Sequence, residues 1–239
     1  MSASIPLVRP LSEANRSSAA IRTIRRLAKA NWFRCVLLAT VAILIHSPAL
    51  QGQRIWDDQY LAHDNPMIKS PLLILESFRH HLFLDSLSAH YRPVQNVSFI
   101  FDYYFWNTDE FGFHLTNTLL HAAAGVVLYF LIRQILSSFL FPTLSMAVRQ
   151  RASRRLGWVS NAAFLVALLW VVHPVHSAAV DYISGRADSL AFLFAAVAWL
   201  LFLKAQNLSR TILRFSVYSL AGLCGLLSLL SREIGCIWL

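Results

Sequence analysis

The chain has 239 residues, of which 56% are hydrophobic and only 14% charged, and a formal net charge of +9. Its mean hydropathy of +0.52 excludes an ordinary soluble globular domain and indicates a polytopic membrane protein. The basic excess does not indicate nucleic acid as a partner, because the arginines and lysines are not gathered with interleaved aromatics into one groove; they sort between apolar runs.

Residues 1–31 form a basic segment with Arg9, Arg16, Arg22, Arg25, Arg26 and Lys29. Within it "IRTIRRLAKA" has the pattern of a short helix lying on anionic lipid, with Ile21, Ile24 and Leu27 toward the acyl boundary. Residues 32–239 then read as one all-α membrane domain, a polytopic transmembrane helix bundle. A helix needs roughly 17–25 apolar residues to cross a bilayer, and the sequence offers about five such runs. They lie near Trp32–Ala49, Phe113–Leu136, Trp158–Val175, Leu190–Leu203 and Ile212–Leu230; His46 and Pro48 shorten the first.

Arg149, Arg151, Arg154 and Arg155 separate the second and third runs, and Lys204, Arg210 and Arg214 separate the fourth and fifth. By the positive-inside rule these basic segments and the N-terminus are cytoplasmic. The long first loop, about Gln51–Gly112, therefore faces the other side, as do the turn His173–Asp188 and the segment Ser231–Gly235. In the long loop, Leu72–Phe83 has apolar residues at helical spacing and "VSFIFDYYFW" is an aromatic stretch too short to span, so both are expected to be interfacial helices on the membrane surface. Cys35, Cys224 and Cys236 show neither a disulfide framework nor zinc spacing.

Acids, imidazoles and guanidiniums thus converge on one face. The loop holds Asp57, Asp58, His90, Arg92 and Asp102; the turn holds His173, His176, Asp181, Arg186 and Asp188; the last segment holds Arg232 and Glu233. Paired carboxylates opposite Arg and His suit group transfer from an amphiphilic phosphate carrier. Arg92 and Arg186 are the best candidates for the phosphate, and one acid of the Asp57–Asp58 pair for the base that takes a proton from an incoming hydroxyl. If a sugar is transferred, phosphate leaves opposite the base and the anomeric centre inverts. Each element also has a plainer reading. Asp57 and Asp58 fit a hydrated loop or a helix start, and His173 and His176, three apart across Pro174, suit a metal, a phosphate or the polar end of a span. Arg186–Asp188 and Arg232–Glu233 read as local ion pairs.

In order, "WDD…DNP", "YRPV", "DYYFW…FGFHLTNTLLHA", "HPVHSAAVDYISGRADSL" and "LLSREIG" resemble the membrane half of the transmembrane and tetratricopeptide repeat-containing proteins, from about Ile55 to the last residue. Their superfamily, the C-type glycosyltransferases, uses polyprenyl- or dolichyl-phosphate-linked sugars, and the eukaryotic members are O-mannosyltransferases. The resemblance implies a polyprenyl-phosphate-linked sugar and a hydroxyl acceptor, protein or glycan, as partners alongside membrane lipid. It makes one of Asp57 and Asp58 the base, with Asp58 and a divalent metal ion, the one cofactor in view, orienting groups. Arg92, His173, His176, Arg186 and Asp188 become the donor-phosphate side, with His90 and Glu233 as accessories. Two features depart from the family. Many relatives carry a glutamate where this chain has Ala178, and no helical repeat of about 34 residues occurs. The chain ends at "CIWL", inside what reads as a sixth span, so the membrane domain is expected to be incomplete at its C-terminus. A bacterial inner membrane is the expected location, or the endoplasmic reticulum in a eukaryote. The chief rival is a non-enzymatic membrane protein such as a lipid-carrier transporter, which places ionisable groups within spans near the midplane.

Overall fold

The structure is a computed structural model that describes residues 31–82, 90–140, 148 and 157–239. Most of the basic N-terminal segment, including "IRTIRRLAKA", and Arg149–Arg155 lie outside the described residues. By their contacts the residues form a unit Met1–Val36 and a unit Leu37–Leu239, and every site residue belongs to the second.

All regular structure among the described residues is helical. The first span, α1 (Asn31–Gln51), closes in a 3-10 turn over Ser47–Gln51, where Pro48 removes a backbone donor. Helix α2 (Pro93–Trp106) is the expected aromatic helix of the long loop. Helices α3 (Glu110–Leu140), α5 (Arg186–Ala205, continuous with a 3-10 turn at Ile183–Gly185) and α6 (Thr211–Ser231) are long and apolar enough to cross a membrane, as is α1. These four and a bent fifth make the chain an all-α polytopic bundle.

The bent fifth corrects the expected run Trp158–Val175. Helix α4 (Trp158–Val171) stops two residues before His173, whose ψ of 126° is extended, as the residue preceding a proline requires. The chain resumes at Pro174–Val180 after a bend of 50°. The expected interfacial helix over Leu72–Phe83 is not formed either. Pro71 and Ser70 start only a 3-10 turn at Pro71–Leu73, and a second follows at Glu76–Phe78; Phe83 lies outside the described residues.

Small residues let the spans approach closely, as helices in lipid require. The buried face of α5 consists largely of alanine (Ala191, Ala195, Ala198), that of α6 includes Ala221, Cys224 and Gly225, and Ser228 Oγ donates 2.7 Å to the Ala191 carbonyl. On α3, a Cβ added at Gly125 would sit 2.5 Å from Val171 Cγ2 of α4. One side of α2 packs Phe99 and Ile100 into a core with Leu61, Ile68, Phe113 and Ile183. Its other side leaves Phe101, Tyr104 and Phe105 more than half exposed. Arg54 ties the start of the loop to the start of α3 through Glu110, with Nη2 2.7 Å from Oε1.

Candidate functional site

The site grows from one turn. The Asp58 N–H donates 3.0 Å to the Ile55 carbonyl, closing a β-turn with Trp56 at φ 49°, ψ −116°, a conformation natural to glycine and strained for tryptophan. The turn points the two acids to different fates. Asp57 is exposed, whereas Asp58 is fully buried. Asp58 Oδ1 accepts from the Ser184 N–H at 2.8 Å and from the Ser184 hydroxyl; Oδ2 accepts from the N–H groups of Ile183 at 3.3 Å and Ile55 at 3.4 Å. Four donors fill the roughly four lone-pair sites of a carboxylate. Asp58 therefore clamps the acidic turn to the Ile183–Gly185 turn, and its oxygens are not available to an ion, contrary to the metal role expected for it.

Arg186, expected on the donor phosphate, is the largest fully buried side chain among the described residues. Its Nε donates 2.7 Å to Asn117 Oδ1 and its Nη2 donates 2.9 Å to the Phe113 carbonyl and pairs with Asp102 Oδ2 at 2.5 Å, while the guanidinium lies 4.6 Å over the Phe99 ring. Asn117 Nδ2 in turn donates to the carbonyls of Val180 and Tyr182, Gln95 to that of Ser184, and Thr116 to Asp102. This knot joins α2, α3 and the turn before α5. Burial raises the Asp102 carboxyl above its ordinary range, against the lowering pull of Arg186 and the Thr116 hydroxyl. Arg186 is thus a structural cation without access to a ligand.

The cations near the end of α6 are Arg92 and Arg232. Arg92 grips Glu233 with two nitrogens, the shortest contact being Nη2 to Oε2 at 2.9 Å, and Arg232 pairs with Asp188. The local pairs expected from sequence, Arg186 with Asp188 and Arg232 with Glu233, are replaced by these long-range ones. The His90 carbonyl, two residues before Arg92, accepts the Leu82 N–H at 2.8 Å. Burial pushes the Glu233 carboxyl up, but the Arg92 hydrogen bond and charge prevail and hold it below the ordinary range.

His176 and Asp188 meet at a pocket of about 270 Å³ lined also by His121, Trp170, Ser189, Phe192 and Trp238. His176 lies 4.2 Å from the Trp170 ring and 6.3 Å from His173 between centroids. The Nδ1 of His173 accepts the Val175 N–H at 3.2 Å and starts the turn after the break in the span. Of the candidates named from sequence, the structure brings Arg92 and Glu233 together in one pair, and His176 and Asp188 together at the pocket, the two groups being neighbours because Arg232, which pairs with Asp188, adjoins Glu233 in the chain. It withdraws Asp58 and Arg186 into the scaffold.

Sequence reasoning gave no role in the site to His46, His114, His121 and Asn117. The last three sit on α3 within an apolar run, and polar residues inside a span are the signal that singles them out. Among the described residues no group of three or more His, Cys, Asp or Glu side chains is placed to hold a metal ion. The described residues do not fit the expected divalent ion.

Fold and site define a polytopic membrane protein with an exposed acid on a strained, clamped turn and paired ions at neighbouring helix ends. Three animal proteins named protein O-mannosyl-transferase are similar to it. F38B6.6 of Caenorhabditis elegans is 28% identical over 179 residues, 73% of this chain and 23% of that protein. Tmtc3 of Drosophila melanogaster is 28% identical over 215 residues, 85% of this chain and 22% of that protein, and human TMTC4 is 30% identical over 180 residues, 73% and 23%. The chain is TMTC-like over these residues, and it spans less than a quarter of the length of these curated relatives. No family model and no solved structure matches it.

Proposed function

We propose that this chain forms the acid-bearing part of a membrane glycosyltransferase, which moves a sugar from a polyprenyl-phosphate-linked donor to a hydroxyl acceptor. Mannose is the sugar that the relatives' names support, with a protein as acceptor. One observation carries the reading: Asp57 is held at the surface by a strained turn that the buried Asp58 locks in place. An exposed, positioned carboxylate of this kind serves as a general base.

Asp57 takes the proton of the acceptor hydroxyl as its oxygen attacks the anomeric carbon. The bond to the carrier phosphate breaks on the opposite face, the carrier leaves as its phosphate, and the configuration inverts. Arg92 and Arg232 take the phosphate-binding role that sequence gave to Arg92 and Arg186. Each is paired with a carboxylate, Glu233 or Asp188, that occupies it as a phosphate oxygen would. The animal relatives favour a eukaryotic internal membrane over the bacterial inner membrane expected at first.

The test is transfer of labelled mannose from dolichyl-phosphate mannose to a threonine peptide by membranes that carry the chain, Asp57→Asn, Asp58→Asn, or a version extended through further spans. Loss of transfer in Asp57→Asn at unchanged protein level supports the base; undiminished transfer removes it. The transporter reading also has an observation in its favour, because the third span is broken at Pro174 and His114 and His121 are buried inside a span. Movement of the labelled carrier across vesicles without any transfer would decide for it.

A further inference from the structure

The proposed reaction leaves a set of buried imidazoles unused. His46, near the end of α1, is 4% exposed, and its Nδ1 lies 2.6 Å from Asp181 Oδ1. A hydrogen bond between Nδ1 and that carboxylate orients both the imidazole and the carboxylate. His46 Nε2 is buried with no partner, and so are both ring nitrogens of His114. Orphaned buried polar atoms are rare in native folds. The His46 ring meets His121 edge-on with centroids 5.0 Å apart, and His121 is 5.1 Å from His176 in the aromatic pocket. A run of imidazoles thus backs Asp181 as far as that pocket.

Asp181 itself faces outward. Its side chain is 39% exposed, and its Oδ1 is held by His46. The Asp58 clamp brings it to the reacting end. Asp58 binds the N–H groups of Ile183 and Ser184, so the backbone carrying Asp57 and the backbone carrying Asp181 and Tyr182 run beside one another. Asn117 Nδ2 holds the carbonyls on either side of Asp181, those of Val180 at 3.1 Å and Tyr182 at 3.0 Å, so this stretch of backbone is fixed.

We infer that Asp181, oriented by His46, is a second carboxylate of the substrate site and accepts a hydrogen bond from a hydroxyl of the bound substrate, on the donor sugar or on the acceptor. The inference rests on the glycosyltransferase reading above. Asp181 touches substrate, and His46 is a positioning residue that acts through it. The imidazole holds the partly exposed carboxylate through Oδ1, so the two form a unit.

The experiment compares the parent membranes with Asp181→Asn, His46→Leu, His46→Gln and the double variant His46→Leu/Asp181→Asn, with Asp57→Asn as control. Transfer is measured at varied dolichyl-phosphate mannose and at varied threonine peptide. Asp181→Asn is expected to raise KM for one of the two about tenfold or more with little change in kcat. A rise confined to the donor assigns the hydroxyl to the sugar, and one confined to the peptide assigns it to the acceptor. His46→Leu should match Asp181→Asn, the double variant should be no worse than either, and His46→Gln, which keeps an N–H donor, should recover most of the loss. Melting shifts of the detergent-solubilised chain on adding either ligand give a readout independent of turnover, and Asp181→Asn should lose one of them. Unchanged KM values and unchanged shifts in Asp181→Asn, while Asp57→Asn is inactive, overturn the inference alone. Full transfer by both Asp57→Asn and Asp181→Asn overturns the underlying reading as well.

Discussion

Asp58 accepts four hydrogen bonds in a dry setting while its neighbour Asp57 meets solvent, so the same substitution has different consequences one position apart. In Asp58→Asn one oxygen becomes an NH2 group facing N–H or O–H donors, so at least one hydrogen bond to a charged acceptor is lost and a donor is left facing a donor. A bond of that kind is worth about 1.5–3 kcal/mol, and melting of the solubilised chain should fall by a corresponding amount. Asp57→Asn should melt as the parent does, its effect confined to transfer. Equal melting of the two variants would sink the clamp. The sequence marks this acidic pair as unusual but does not say which member is buried, because the donors that select Asp58 lie 125 and 126 positions further along the chain. Arg186 is hidden for a similar reason. A guanidinium at the end of an apolar run reads as a ligand for phosphate until Asp102, Asn117 and Phe113 are seen around it.

Long apolar runs and basic connections sufficed to place the spans, since crossing a bilayer leaves a lasting imprint on composition. Breaks within elements were harder to read. Pro174 ends α4, and the segment after Pro71 breaks into two short 3-10 turns, local features that hydrophobic periodicity averages away. The tie between the N-cap of α2 and the end of α6 is a contact between distant elements, and its chemistry makes it sensitive to acid. Glu233 has a folded-state pKa below its ordinary value, so its pairing with Arg92 stabilises fully above the ordinary carboxyl range and is lost as pH falls through the lowered value. The parent should therefore lose part of its melting temperature as pH falls from the ordinary carboxyl range to below the lowered value, and Glu233→Gln should lose less over that interval, starting from a lower value at neutral pH. Glu233 is half exposed, which keeps the effect small. Identical acid slopes in the two proteins would show that the pair does not contribute.

At the scale of the molecule, the acidic turn, α2, α3 and the start of α5 are held as one body by the Arg186 knot and the Asp58 clamp. Arg186 carries the larger share, because its guanidinium reaches Asp102 and Ser98 on α2 and Asn117 and the Phe113 carbonyl on α3. Removing one partner of a buried ion pair strands the other charge and costs about 3–5 kcal/mol, whereas replacing both with apolar groups of similar size is far milder. Arg186→Met should accordingly destabilise the chain severely. The double variant Arg186→Met/Asp102→Leu should melt above Arg186→Met despite carrying one more substitution. The pH dependence follows from the state of Asp102, which burial already raises above the ordinary range and which loses the opposing pull of Arg186 in the single variant. Its folded-state value then rises further, so the penalty of a stranded carboxylate is present above that value and disappears as pH falls through it and Asp102 takes up a proton. Arg186→Met should thus regain stability on acidification while the double variant does not, because it has no carboxyl to titrate at that place. Melting both proteins from pH 8 down to pH 5 measures the difference directly; parallel curves would mean that the knot holds by packing against Phe99 and Phe113 rather than by charge.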